Sequence, residues 1–241
     1  MTSWEDLSRW LADAGRPHVR LNLTQLDQFA RYGELLLEWN ERINLTAITD
    51  LRDVYVKHFY DSLTPMLVLD FNGPWRVIDV GTGAGFPGIP LKIAFPHLRL
   101  TLLDALKKRL TFLEAVVEEL GLSDVQLIHG RAEDVARDPA HREQYDVAIS
   151  RAVARLNVLS EYCLPFVKRD GVFIAMKGGQ VAEEVREAQS AVERLGGGAV
   201  QTYSFSLPEG AGQRTLCTVV KEKPTPSAYP RSPGVPAKKP L

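Results

Sequence analysis

Val77-Ile78-Asp79-Val80 runs directly into Gly81-Thr82-Gly83-Ala84-Gly85-Phe86-Pro87-Gly88. A short β-branched run that meets four glycines in eight residues reads as a buried strand entering a tight turn. Glycine permits positive φ and lets the backbone approach a ligand closely. Working outward, similar runs at 98–103, 125–129, 146–150, 171–177 and 215–221 read as further strands. Helical spacing lies between them. Leu106, Leu110, Leu113, Val117 and Leu120 share a face that Gly121 closes, and Val181, Val185, Ala188, Val192 and Leu195 share one that Gly196 closes. Strands alternating with helices make βαβ units, hence an α/β fold with a parallel sheet covered on both faces. No helix separates 199–207 from 215–221, which predicts an antiparallel hairpin at the sheet edge.

The flanks differ from this body (71–222). Residues 1–70 read as a helical extension. Thr2-Ser3-Trp4-Glu5 has the capping-box pattern, and Trp4, Leu7, Leu11 and Ala14 then share a face that Gly15 and Pro17 end. Thr24 with Asp27 marks a second start, followed by Leu26, Phe29, Ala30, Leu36, Leu37 and Ile43. Asp50 marks a third, before Val54, His58 and Leu63. Such faces need a larger body to pack on. Residues 223–241 hold six prolines and read as an extended or disordered tail with one aromatic anchor, Tyr229.

The 241 residues carry 29 Lys and Arg against 30 Asp and Glu, a net charge of −1. The first 70 residues are net −4 and the last 21 net +4, so the basic face of a general polyanion binder is absent from the whole. The tail reads as a solvated terminus or as a phosphate contact. No apolar run reaches the ~18 residues of a membrane span, and the acidic N-terminus lacks a secretory pattern. Two cysteines, Cys163 and Cys217, make neither a disulfide framework nor a metal cluster. A cytoplasmic monomer without metal is expected.

In a doubly wound sheet the turn after the first strand opens the ligand crevice. The spacing here is G-x-G-x-G rather than the dinucleotide G-x-G-x-x-G, with Asp79 two residues before Gly81. An acid there repels a pyrophosphate and tolerates an α-ammonium group, directly or through water. S-adenosylmethionine fits that pattern better than a nicotinamide dinucleotide. Asp104, at the end of the next strand, is placed to accept both ribose hydroxyls or to cap the helix that follows. Glu133, after the third strand, addresses the adenine edge or serves as a first-turn helix acid. Arg151, after the fourth, stands on the crevice rim or in a surface ion pair.

These residues resemble the bacterial ribosomal RNA small subunit methyltransferase G family, also called glucose-inhibited division protein B. Its cofactor turn is similar to 79–90. Trp39-Asn40, Asn44-Leu45-Thr46 and His58-Phe59-Tyr60-Asp61-Ser62 resemble its N-terminal signature. Arg131-Ala132-Glu133, Ser150-Arg151-Ala152-Val153-Ala154, Leu164-Pro165 with Lys168 and Gly171, and Tyr229-Pro230-Arg231 with Gly234 and Pro236 follow in its order. The resemblance implies a Rossmann-like class I methyltransferase with a seven-stranded, mostly parallel sheet. It implies S-adenosylmethionine as donor, S-adenosylhomocysteine as product, and transfer to N7 of a guanosine in the 530 loop of 16S rRNA (guanine 527), within a small-subunit particle. Cofactor positions carry over to Gly81, Phe86, Asp104, Ala105, Leu106, Ala132, Glu133 and Arg151. The residue reading adds Asp79, Gly83 and Gly85.

Guanine N7 carries a lone pair and no proton, so direct in-line attack needs alignment rather than a general base or covalent intermediate. No catalytic side chain is therefore assigned beyond Arg151, a candidate for positioning the substrate. Candidates to meet RNA are His58, Tyr60, Arg155 and the run Lys107-Lys108-Arg109, with Arg231 and the lysines of the tail. His58 reads equally as a core or capping residue, and the basic run as a solvated first turn. The alternatives are a small-molecule or protein methyltransferase on the same fold, and a protein that binds the cofactor only as a regulatory ligand.

Overall fold

The computed structural model describes residues 3–13, 20–151 and 154–241. Thr2, Ala14, Gly15, Pro17 and the pair Ala152-Val153 lie outside the described residues, as does the side chain of Trp4.

Seven strands form one sheet: β1 (Arg76–Val80), β2 (Arg99–Asp104), β3 (Val125–His129), β4 (Tyr145–Arg151), β5 (Val167–Gly178), β6 (Gln201–Ser206) and β7 (Gln213–Val220). Their order is β3-β2-β1-β4-β5-β7-β6. β1 to β5 are parallel, and the expected hairpin, β6 with β7, is antiparallel, with β7 paired to β5. The central strand β1 is buried on both faces: Ile78 and Val80 point to one side, and Val77 to the other beside Asp79, a buried carboxyl. β5 begins four residues earlier than the β-branched run. Val167 pairs with Tyr145 and Val172 with Val147, so the intervening residues bulge outward. Gly171 fits that bulge because a Cβ there meets the Asp146 carbonyl oxygen at 2.6 Å.

The helices are α1 (Ser3–Asp13), α2 (Leu23–Ile43), α3 (Leu51–Val54), α4 (Asp61–Leu63), α5 (Gly88–Ala94), α6 (Lys107–Glu119), α7 (Ala132–Val135), α8 (Leu156–Cys163), α9 (Ala182–Arg194) and α10 (Val235–Lys238). The start of α2 lies two residues before the Thr24 signal. Asn22 is the cap: its Oδ1 accepts from Gln25 N at 3.0 Å and its own N–H donates to Gln25 Oε1 at 2.8 Å. Gln25 then donates to the Ile93 carbonyl at 2.8 Å, which ties α2 to the end of α5. Asp50 caps α3 as its spacing predicts, but the chain continues through a π-helical turn, Tyr55–Tyr60, before α4. Such turns are frequent at functional sites.

One apolar cluster runs without a break from Leu7, Trp10, Phe29, Tyr32 and Phe59 of the first 70 residues to Val77, Leu100 and Ile174 of the sheet and Ile89 of α5. A second lies on the opposite face under α8 and α9. The tail is neither extended throughout nor detached. Tyr229 packs against the second cluster, and α10 follows it. Polar bonds do the rest: Arg142 donates to the carbonyls of Thr225 (2.8 Å), Pro226 (3.2 Å) and Tyr229 (2.8 Å). Proline content carries no sign of these bonds, because the donors belong to the body.

Candidate active site

At the carboxyl ends of β1, β2 and β4 lies a crevice of about 510 Å³. Gly81, Thr82, Gly83, Ala84 and Phe86 form its floor; Asp104, Ala105, Leu106 and Arg109 form one wall; Arg151, His58 and Leu45 form the other. The glycine turn is pinned from both sides. Gly81 and Thr82 donate to the Leu103 carbonyl at 2.8 and 3.1 Å. Asp79, fully buried, accepts at Oδ2 from Thr82 Oγ1 (2.7 Å) and from Gly88 N (2.8 Å). Gly88 has no room for a side chain, since a Cβ meets Leu102 Cδ2 at 2.5 Å and Asp79 Oδ2 at 2.9 Å. Gly83, at φ +62°, is different: a Cβ there meets nothing within 4 Å, and its open side faces the crevice it lines. Gly85, at φ +97°, packs under Ile89 and the Tyr32 hydroxyl.

Asp79 Oδ1 is buried and has no hydrogen-bond partner among the described residues. Burial pushes this carboxyl up to about 7, against the bonds from Thr82 and Gly88 and the pull of Arg151. An orphaned acceptor of this kind is costly unless a donor arrives.

Asp104 is nearly buried. Its Oδ2 accepts from Gly83 N at 2.9 Å and from Arg109 Nη1 at 3.2 Å, and its Oδ1 accepts from Leu106 N at 2.8 Å. It therefore joins floor to wall. The cap of α6 is Leu106, without a side-chain bond, so the capping reading of Asp104 does not hold.

The opposite wall is a relay of charge and hydrogen bonds. Arg151 lies over the Phe86 ring, its Cζ 4.8 Å from the centroid. Its Nη1 donates to the Lys57 carbonyl and to Asp61 Oδ2, both at 3.2 Å, and its Nη2 to His58 Nδ1 at 3.2 Å. Arginine only donates, so Nδ1 is the acceptor and the imidazole carries its proton on Nε2. That Nε2 meets Thr46 Oγ1 at 2.7 Å. Burial, reinforced by Arg151, lowers His58 to about 3, so the ring is neutral. His58 also stacks on Phe86, centroids 4.5 Å apart. Asp61 shares its other oxygen with Arg214 Nε of β7 at 3.2 Å. Burial raises the Asp61 carboxyl, opposed by the two guanidinium groups. Further out, Asn40 Oδ1 accepts from Leu45 N (2.6 Å) and Thr46 N (2.8 Å) and so shapes the loop that brings Leu45 and Thr46 to the crevice.

The family model for rRNA small subunit methyltransferase G matches residues 25–217. The chain belongs to the rRNA small subunit methyltransferase G family. Relatives named ribosomal RNA small subunit methyltransferase G in Staphylococcus aureus, strains Newman and USA300, are 52% identical over 233 residues, spanning 96% of this chain and 97% of theirs. Among solved structures, a chain from the complex between the Haloferax volcanii Trm112 methyltransferase activator and the putative methyltransferase superposes with a TM-score of 0.56 at 14% identity, over 78% of this chain and 98% of that one. A predicted O-methyltransferase from Agrobacterium tumefaciens gives 0.54 at 17% identity, over 68% and 81%. These two show the fold alone: a class I methyltransferase sheet, as this family uses.

For a member of this family, the other sequence candidates fall in three places. Lys107 and Lys108 are exposed at the start of α6, beside the wall that Arg109 joins. Ala132 and Glu133 do not line the crevice. Glu133 is buried, and its Oε1 accepts from Gly234 N of the tail at 2.9 Å. Tyr60, Arg155 and Arg231 are turned elsewhere. Tyr60 is buried edge-on to Trp10, in a separate cleft with Tyr203 and Phe205. Arg155 pairs with Glu187 and Arg231 with Glu161. Lys221 is fully buried on the carbonyls of Leu164 and Val167, so it is no phosphate contact. Cys163 is buried, in keeping with a packing role. Residue reading missed Arg214 and Tyr32, which donates to the Ala84 carbonyl at 2.5 Å. Arg214 gives no local signal, since its partner is 153 residues away. Tyr32 sits on the buried face of α2, where spacing indicates only burial.

Proposed function

We propose that the chain transfers a methyl group from S-adenosylmethionine to N7 of a guanosine in the 530 loop of 16S rRNA. The observation that carries the reading is the crevice itself. Its glycine floor is open at Gly83, and a buried acceptor at Asp79 lacks a donor. Its far wall sets Leu45 and His58, from the N-terminal signature of a family named for the small ribosomal RNA, beside Arg151 of β4.

The residues in and beneath the crevice fit such a donor, Asp79 lying buried under the glycine floor rather than in the lining. Asp79 Oδ1 suits an α-ammonium group, Asp104 offers carboxylate oxygens toward ribose hydroxyls at the expense of Arg109, and Gly83 leaves the backbone bare. When bound, the donor supplies a methyl group on a sulfonium centre. The residues of the chain bind, orient and exclude water. Transfer moves positive charge from sulfur to the base, and Asp79 and Asp104 keep that region acidic. Asp61 neutralises Arg151, so the guanidinium serves as a fixed hydrogen-bond donor rather than as a repelling charge. His58 takes no proton, since both its ring nitrogens are engaged and its basicity is suppressed. This suits an acceptor atom that has no proton to lose. Catalysis then rests on alignment in a shaped site.

The test is methyl transfer from labelled S-adenosylmethionine to small ribosomal subunits and to naked rRNA from cells lacking this activity, followed by identification of the labelled nucleoside. The expected product is 7-methylguanosine at one loop position. Label in another nucleoside overturns the acceptor atom. No label on either RNA, with donor binding intact, moves the reading to another substrate class.

A further inference from the structure

The tail lines no part of the crevice, yet it is fastened with more polar bonds than cover alone requires. Glu161 on α8 is fully buried, and its carboxylate is met by one tail residue. Arg231 donates to Oε1 from its backbone N (2.7 Å) and from Nε (2.9 Å), and to Oε2 from Nε (3.1 Å) and Nη2 (2.6 Å). A buried carboxylate is destabilising without such a partner, and a forked guanidinium fixes orientation as well as charge. Three residues on, Gly234 turns at φ +81° and aims its N–H at Glu133 Oε1, 2.9 Å away. Space does not demand a glycine there, since a Cβ meets nothing within 4 Å; the backbone angle does.

Glu133 lies in the first turn of α7, just after the turn that leaves β3. That turn is bonded to the crevice wall: Gly130 N donates to the Asp104 carbonyl at 3.1 Å, and the His129 ring lies 3.1 Å from the Ala105 carbonyl. A continuous series of bonds thus leads from Glu161 through Arg231, Gly234 and Glu133 to the residues that carry Asp104 and Ala105.

We propose that Arg231 is a positioning residue for the donor site. By fastening the tail to Glu161 it presents the Gly234 N–H to Glu133 and so holds the 129–133 turn against Asp104 and Ala105. The tail acts on donor affinity through the wall, without touching the donor. This rests on the crevice being the S-adenosylmethionine site.

The experiment uses the full chain with three variants: R231A, R231K and the double variant E161Q/R231Q, which leaves no stranded buried carboxylate. S-adenosylmethionine is titrated by calorimetry, kcat and both KM values are measured on RNA, and amide exchange is followed over 129–135. In R231A and the double variant, donor Kd and donor KM rise about tenfold, a usual size for coupling between sites. RNA KM and kcat at saturating donor stay within about twofold, and exchange over 129–135 quickens. R231K recovers part of the affinity, because an ammonium keeps the charge and loses the fork. Folded variants with wild-type donor Kd overturn the proposal. If the wild type binds no S-adenosylmethionine, the crevice reading fails instead, and unchanged exchange over 129–135 still overturns the fastening.

Discussion

The residues before the first strand fasten themselves to the sheet with rings and aliphatic side chains. The residues after the last strand are fastened by arginines, some reaching out from the body. Phe29, Tyr32, Tyr55 and Phe59 form a ring cluster with Phe86 and Phe112, at centroid distances between 5.0 and 6.5 Å. The tail sets Tyr229 and Leu241 partly against the opposite face, and Arg142 and Glu161 hold it by its carbonyls and by Arg231. The difference matters for both stability and function. An apolar clamp gains from every ring buried and brings Leu45 and His58 into the crevice as a wall. A polar clamp gains little net free energy per bond but fixes direction. The first end builds part of the site; the second, on our proposal, orients a part already built.

The comparison is broken most easily at Phe59. Phe59→Ala is expected to cost about 3–5 kcal/mol, measured by urea unfolding, because the cavity opens in the ring cluster where both sides of the crevice meet. A cost below about 1 kcal/mol sinks the idea that rings bind this end. Next comes Arg151, where the N-terminal wall meets β4. Arg151→Ala should lower single-turnover transfer about 100-fold while the fold survives, since Arg214 stays beside Asp61 and positioning is what is lost. Unchanged turnover removes Arg151 from the site. Asp104 sharpens the opposite wall: Asp104→Ala should weaken S-adenosylmethionine binding by about 10- to 30-fold, as expected for a group making charge-assisted bonds, and an unaltered Kd defeats the assignment.

The effect of pH is smaller and has a definite sign. Asp79 sits near 7 in the folded chain, above its ordinary 3.8. Between those values the folded chain keeps a proton that the unfolded chain has lost, so this group's contribution to stability falls as pH rises through that window. Donor binding moves the other way. As Asp79 ionises between pH 6 and 8, its attraction for an ammonium group grows, and Kd should tighten by up to about tenfold. A flat profile across pH 7 rules out contact between Asp79 and the ammonium. Arg142→Ala completes the comparison. It should cost only about 1 kcal/mol globally while amide exchange over 223–231 quickens markedly. A loss as large as that of Phe59→Ala would show that the tail is an apolar clamp after all.

Much of this was legible in the sequence, and the reason differs by residue. β1 and β3 have the limits their β-branched runs imply, and Gly121 and Gly196 end their helices at φ +61° and +86° as the spacing requires. These features are local. The bulge at Gly171 and the π-helical turn at Tyr55–Tyr60 leave no mark in the periodicity, whereas the cap at Asn22 is a local box with Gln25 that the Thr24 signal displaced by two residues. The partners of Glu133, Arg231 and Arg214 lie 101, 70 and 153 residues away, and no spacing rule joins them. Charge composition even misleads here. The surplus of lysine and arginine in the last 21 residues suggests solvation or phosphates, whereas Lys221, at the end of the body, and Arg231, in the tail, spend their charge inside the fold.

The placing of β7 between β5 and β6 has a consequence for the chain as it is made. β5 finds its outer neighbour only in residues 213–220, and β6, although synthesised earlier, lies beyond them. A growing chain stopped short of that stretch presents Val172, Phe173, Ile174 and Ala175 along an open sheet edge. Such an edge invites pairing with other chains. Translation arrested between about residue 180 and residue 212 should therefore yield products that aggregate, and solubility should return once β7 has emerged.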